Sequence, residues 1–299
     1  MEPAEELASI ETAGQGNMNC VLRVTTSRRT FILKQSRPWV EKYPEIAAPF
    51  DRAAVEAEFY GLVARTEAAA FMPKLYGFDA ESRILWLEDL GTAGECSRVY
   101  SGAPFASHER QQIYRFLSLL HAERGRLGNR AMRALNHFHI FVFPFQSNNG
   151  LDLDRFTPGL QRLAERVKAS HFLINRVTEL GRIYLADGDY LLHGDCFPGS
   201  WLRTPSGIKI IDPEFGFAGP REFDLGVLSA HERIAGFSPD PSLPESHYSQ
   251  WKELDLKLVR GFAGVEILRR LLGVAQLPTP LDFERKSALI ENAIALVLG

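Results

Sequence analysis

Residues 191 to 215 read LLHGDCFPGSWLRTPSGIKIIDPEF and bring His193, Asp195, Ser200, Asp212 and Glu214 into two short clusters. Asp195 follows the apolar run YLLHG, which places it at a strand end facing a cleft. Asp212 closes GIKII, a run apolar enough for a central strand. Glu214 lies two positions further on, so in an extended segment it points to the same side as Asp212. Together the two carboxylates offer hard oxygen ligands of the kind magnesium prefers. Asp195 is left as a base or orienting carboxylate. Phosphoryl transfer needs such a set, because the metal neutralises phosphate charge while a third carboxylate positions the acceptor oxygen. The plainer alternative is a pair of turn aspartates and an exposed glutamate. His193 reads as a structural ring that holds the loop by a hydrogen bond. Cys196 reads as a small buried side chain rather than a nucleophile.

The elements that must position these groups fall into two kinds. Residues 1 to 88 read as strands around one helix. GQGNMNCVLRV passes from a glycine turn into a strand, and SRRTFILKQS returns as its hairpin partner. DRAAVEAEFYGLVARTEAA has helical spacing at Val55, Phe59 and Leu62, with Asp51 as its N-cap. FMPKLYGFDAESRILWLEDLG supplies two more strands that turn at DAES. From residue 89 to 299 the chain is mainly helical. HERQQIYRFLSLLHAERGRL is an amphipathic helix, and GLQRLAERVKASHFLINRVTELGRIYL reads as one long helix. After the clusters come FDLGVLSAHERIAG, YSQWKELDLKLVRGFAGVEILRRLLGVA and DFERKSALIENAIALVLG. The expected architecture is α+β: a small β-rich lobe over 1–88, a larger helical lobe over 89–299, and a hinge between them.

Bulk properties agree with a globular bilobal chain. It has 299 residues, 45% hydrophobic and 24% charged, and a formal net charge of −3. No basic surplus calls for nucleic acid, and no apolar run is long enough for a membrane span. The three cysteines, Cys20, Cys96 and Cys196, are far apart and suggest neither a disulfide framework nor a zinc site. With no apolar signal core at the start, a cytoplasmic setting is expected. A homodimer is left open.

HGDCFPGS followed by IKIIDPEF resembles the catalytic and metal segments of the aminoglycoside phosphotransferase and choline kinase superfamily, a branch of the protein-kinase-like fold. That pattern is H-G-D-x-x-x-x-N, then a strand ending in Asp. The resemblance implies that Asp195 is the catalytic carboxylate and that Ser200 and Asp212 form the metal side. Serine in place of asparagine, together with DPEFGFAGPREFDLG over 212–226, is similar to the 5-methylthioribose kinases within it, which carry a D-x-E metal motif. By the same resemblance, the glycine loop at Gly14, Gly16 and Asn17 meets phosphates. On its own a hairpin turn describes that loop equally well. Lys34 looks like the phosphate-binding lysine, with Glu56 as its partner in preference to Glu58 because DRAAVE matches D-R-A-x-x-E. Backbone groups near Glu88 and Leu90 in WLEDLG would hold adenine. GFAGVEILRRLLGVA implies a sugar-binding role for Arg269 and Arg270. Neighbours on a helix diverge by about 100°, so no more than one of that pair is expected to face the cleft squarely. Asp224 is expected to brace the catalytic loop from a helix start. NHFHIF, with His137 and His139, has metal-like spacing but no third ligand, and reads as a packed aromatic segment near the acceptor pocket.

The implied activity is transfer of the ATP γ-phosphoryl group, with Mg2+, to a hydroxyl of a small molecule. A sugar such as 5-methylthioribose leads. An aminoglycoside or amino alcohol, or a silent nucleotide-binding protein, are the alternatives. The sequence departs from the methylthioribose kinases in three places. It is shorter, its segment KYPEIAAPFDR lacks a tryptophan in the loop after the lysine strand, and it places Phe197 where those kinases carry a polar histidine.

Overall fold

A computed structural model describes residues 5–14, 18–125, 127–237, 242–277 and 279–299. The first lobe is built on one antiparallel sheet. Its strands are β1 (Leu7–Thr12), β2 (Cys20–Thr26), β3 (Thr30–Gln35), β6 (Leu75–Asp79) and β7 (Ile84–Glu88), in the order β1-β2-β3-β7-β6. β2 and β3 make the expected hairpin because Thr26 Oγ1 accepts from the amides of Arg28 and Arg29, which folds the turn back on itself. The DAES turn forms in the same way, with Asp79 Oδ1 accepting from the amides of Glu81 and Ser82. Two features escape sequence reading. β1 is an exposed edge strand with little apolar alternation, and β4 (Trp39–Val40) with β5 (Tyr43–Ala47) forms a short side hairpin.

The lobe's helix, α1 (Arg52–Val63), buries Phe59, Tyr60 and Val63 against the sheet. Asp51 does not cap it as expected. Its backbone lies at φ −78°, ψ 3°, outside the extended conformation a capping side chain needs. The carboxylate instead accepts from Arg83 Nε and Nη2 at 3.1 and 2.7 Å.

The second lobe starts with β8 (Gly94–Glu95), which pairs across the chain with β10 (Trp201–Thr204); β10 in turn pairs with β11 (Gly207–Ile210). A second small ladder joins β9 (Tyr190–Leu192) to β12 (Phe217–Gly219). Around these lie α2 (Ser107–Ala122), α3 (Arg130–His137), α4 (Leu160–Lys168), α5 (His171–Leu185), α6 (Glu222–Ile234), α7 (Ser242–His247), α8 (Leu256–Leu272) and α9 (Phe283–Leu298). The single long helix expected over 159–185 is two. Ser170 stands extended between α4 and α5, and its hydroxyl accepts from the Leu173 amide at 3.5 Å, so a capping residue interrupts a continuous apolar stripe. α8 likewise begins later than its apolar periodicity suggests, capped by Asp255 through the amides of Lys257 and Leu258.

The core is densest where α6, α8 and α9 pack together, around Phe223, Val227, Phe262, Ile290 and Ala293. Among the described residues no helix is long and apolar enough to cross a membrane. The architecture is the expected α+β bilobal one, with a small antiparallel sheet lobe and a larger helical lobe.

The connection that carries Asp195 depends on one glycine. Gly194 sits at φ +82°, and a Cβ there would lie 2.1 Å from the Phe215 carbonyl oxygen. Gly91 has a similar φ of +71°, but a Cβ there would meet nothing within 4 Å. Gly91→Ala should therefore cost about 1–2 kcal/mol, from the left-handed backbone alone, and Gly194→Ala about 4 kcal/mol or more. Thermal or urea unfolding of both variants checks this; equal shifts would mean the loop yields freely around residue 194.

Candidate active site

β3 places Lys34 opposite the fully buried Leu85, and the lysine is itself buried. Its Nζ lies 2.6 Å from Glu56 Oε2 on α1 and 2.6 Å from Asp212 Oδ1 in the second lobe. Burial opposes the charge on Lys34, but the carboxylates of Asp212, Glu56 and Glu214 outweigh it and hold the ammonium well above the usual lysine range. Burial pushes Glu56 up to about 7, against the pull of Lys34. Glu58, the competing partner, is exposed.

Asp212 follows β11 with φ 61°, a left-handed conformation uncommon outside glycine, so its direction is imposed by the surrounding loop. Residues Pro213–Phe215 then form a 3₁₀ turn. The expected extended segment is therefore absent, and with it the reason for Asp212 and Glu214 to share a side. Asp212 faces Lys34. Glu214 is buried, and its Oε2 accepts from Asn19 Nδ2 at 2.9 Å and lies 3.5 Å from Arg52 Nε. Burial raises its pKa. Arg52, the fully buried arginine of the DRA string, also donates to Asn19 Oδ1 and to the carbonyls of Met18, Arg37 and Pro49.

The loop bearing Asp195 is held from three directions. Asp224, at the start of α6, accepts from the amides of His193 and Gly194 at 2.7 and 3.0 Å, as its position suggested. His193 with its hydrogen on Nε2 donates to the Ile211 carbonyl at 3.0 Å and accepts from the Asp195 amide through Nδ1 at 3.4 Å. That ring therefore ties the two clusters to each other. From α3, Asn136 donates to the Gly194 carbonyl, and Asn129, just before that helix, donates to the carbonyls of Glu214 and Gly216. Ser200 is buried, with its hydroxyl donating to the Asp195 carbonyl at 3.2 Å.

Both arginines reach the site, against the expectation that helical divergence would admit only one. Arg270 Nη2 and Arg269 Nη1 lie 3.1 and 3.3 Å from Asp195 Oδ1. The reason is Glu266, one turn earlier on α8, which pairs with Arg269 at 3.0 Å and Arg270 at 2.6 Å and draws both long side chains to one face. Phe197 lies flat against Arg270, ring centroid to guanidinium 4.1 Å. Asp195 Oδ2 accepts no hydrogen bond from the described residues.

The remaining candidates lie as follows. Gly14 takes φ +76°, while Gly16 and Asn17 fall outside the described residues. Glu88 spends its amide on the Lys74 carbonyl and its carboxylate on the Lys74 amide. Beside it, Asp89 pairs with Arg23 through two bonds of 2.9 and 3.0 Å and accepts from the Gly91 amide, which pins the segment containing Leu90. Cys196 is buried and accepts from Trp201 Nε1, and burial pushes its thiol far up, so it is no nucleophile. His137 stacks between Phe141 and Tyr184, and His139 packs against Phe138 and Phe143. Sequence reading missed Arg52, Asn129, Asn136 and Glu266. Arg52 and Glu266 stand inside strings already singled out, DRA and GFAGVEILRR, while nothing marked the roles of Asn129 and Asn136.

The phosphotransferase enzyme family model matches residues 9–256 of this chain. Methylthioribose kinase of Bacillus cereus (strain G9842) is 25% identical, covering 96% of this chain and 84% of that protein. Methylthioribose kinase of Exiguobacterium sibiricum is 25% identical, covering 90% and 81%. Among solved structures, choline kinase LicA from Streptococcus pneumoniae superposes with a TM-score of 0.55 at 15% identity over 98% of this chain and 94% of that one. Spectinomycin phosphotransferase APH(9)-Ia does so with a TM-score of 0.57 at 12% identity over 98% and 93%. The chain belongs to the phosphotransferase enzyme family and transfers a phosphoryl group to a hydroxyl of a small molecule.

Proposed function

We propose that this chain uses ATP to phosphorylate a hydroxyl of an uncharged sugar, with 5-methylthioribose as the leading acceptor. The carrying observation is the cluster in which Lys34 bridges Glu56 and Asp212, with His193 linking the residue before Asp212 to the loop of Asp195. In this reading the first lobe, residues 1–88, holds the nucleotide, and the second, 89–299, holds the acceptor. Pairing of β8 with β10 supports that boundary, since Gly94 is already part of the second lobe's sheet.

Lys34 takes the α- and β-phosphates, exchanging Asp212 for phosphate oxygens, and Glu56 keeps it in place. The segment from Glu88 to Leu90 lies against the base. Asp195 Oδ1 is occupied by Arg269 and Arg270, which leaves Oδ2 to receive the acceptor hydroxyl and aim it at the γ-phosphorus. A loose transition state asks for such alignment more than for a strong base.

The donor set also fits Mg2+. Asp212 presents a hard carboxylate whose side chain is 44% exposed, and Ser200, whose hydroxyl donates to the Asp195 carbonyl, and Glu214 are the further oxygen candidates. Glu214 is the weaker candidate, because Asn19 and Arg52 already occupy one of its oxygens. Among the described residues no group of three acidic, histidine or cysteine ligands is found; a magnesium ion here would complete its shell with water and phosphate oxygens. When bound, the ion would neutralise charge on the transferring phosphoryl group.

Charge around the acceptor end favours a neutral molecule. Asp195 and Glu266 are balanced by Arg269 and Arg270. A cationic aminoglycoside or amino alcohol would meet two guanidinium groups beside the one free carboxylate oxygen, a like-charge cost. The retained set of Lys34, Glu56, Asp195 and Asp212 weighs against a silent nucleotide-binding protein.

Three outcomes are expected. In a screen with ATP and magnesium, 5-methylthioribose is turned over and choline and kanamycin are not, and EDTA abolishes the turnover; preference for a cationic acceptor would overturn the substrate reading. Asp195→Asn lowers kcat by about 100-fold or more while calorimetry finds ATP affinity nearly unchanged; normal turnover would remove Asp195 from its role. Lys34→Met weakens ATP binding by about tenfold or more, the loss of a charge-assisted contact, and unchanged affinity would place the triphosphate elsewhere.

A further inference from the structure

Behind the arginine pair lies a buried polar row that the proposed chemistry does not use. Tyr100, in the 3₁₀ turn Cys96–Ser101, hydrogen-bonds His231 Nδ1 on α6. His231 Nε2 meets Glu266 Oε1 at 3.1 Å. Glu266 accepts from Arg269 and Arg270, and both arginines donate to Asp195 Oδ1. Tyr100, His231 and Glu266 are all buried, with exposures of 6%, 1% and 0%. Burial drives the His231 pKa down to about 4, so the ring is neutral. A neutral imidazole has one donor and one acceptor. Facing a carboxylate at Nε2 and a hydroxyl at Nδ1, it donates to Glu266 and accepts from Tyr100. The row thus has one consistent hydrogen-bond direction, from Tyr100 through His231 to Glu266.

We infer that His231 is a positioning residue for phosphoryl transfer, fixing Asp195 through Glu266 and the arginine pair. This rests on the role proposed for Asp195. Glu266 Oε1 is shared by His231 Nε2, Arg270 Nε and Arg269 Nη1. The two arginines approach from its own helix, so the donor from α6 is what stops the carboxylate rotating between them. Rotation would carry both guanidinium groups, and with them Asp195. Phe197, which lies between the His231 ring and Arg270 with centroid distances of 5.2 and 4.1 Å, fills the remaining space and transmits the same constraint. Misplacement of about 1 Å in an aligned reacting group can cost about 100-fold in rate.

The test compares His231→Phe, which keeps the ring's bulk without either hydrogen bond, with His231→Gln, whose amide can donate to Glu266 and accept from Tyr100. With ATP and 5-methylthioribose, His231→Phe is expected to lose about 10- to 100-fold in kcat with KM for ATP unchanged, and His231→Gln to recover most of that loss. A crystal structure of His231→Phe should find Arg269 and Arg270 withdrawn from Asp195. Wild-type kcat in a folded His231→Phe, or a Gln variant impaired as much as the Phe variant, overturns the inference. Should His231→Phe not fold, Glu266→Gln cuts the row one step further on, and wild-type kcat there overturns it equally. Asp195→Asn is run alongside. If that variant turns over normally the catalytic reading fails, while the crystal structure still reports whether His231 holds the arginines.

Discussion

The lysine that joins the two lobes is the constraint on which the rest depends. A buried ammonium is costly unless carboxylates offset it. Lys34 meets that requirement with one carboxylate from its own lobe and one from the other. A sheet strand, a helix and a loop 178 residues further along must therefore converge on one nitrogen. The sheet order, with β3 between β2 and β7, sets the lysine at the sheet's centre, and α1 packs where Glu56 can reach it.

The second lobe applies the same logic to backbone rather than to charge. Asp224 satisfies two buried amides of the loop before Asp195, and His193 joins that loop to the strand before Asp212. Two asparagines, one on α3 and one just before it, hold the carbonyls on the other side. Buried backbone groups left without partners would be expensive, so each of these side chains both stabilises the loop and directs a carboxylate. The left-handed Asp212 is the strain such a scaffold can hold.

Much of this was legible in the sequence, for identifiable reasons. HGD, the strand ending in Asp212 and the lysine of TFILK are local features, and each lies at the end of an apolar run whose period is readable. The long helix over 159–185 was misread because apolar spacing continues through Ser170, and only the cap chemistry marks the break. Asp51 was misread in the opposite sense, since its residue type suits a cap and its backbone does not. The convergence of Arg269 and Arg270 could not be inferred from helix geometry, because it depends on the long reach of both side chains and on Glu266 beneath them. Asn129 and Asn136 gave no signal at all; a lone buried amide has no periodicity.

The bond from Asn19 to Glu214 has a consequence for motion. Asn19 immediately precedes β2, Arg52 begins α1, and Glu214 belongs to the loop after Asp212, so one buried carboxylate ties three segments together. Parting the lobes would break the bond from Asn19 and the ion pair with Arg52 together, and a charge-assisted hydrogen bond contributes about 1.5–3 kcal/mol. Each lobe thus carries part of the other's charge balance, and a change at Asn19 or Arg52 would be felt in the loop that follows Asp212.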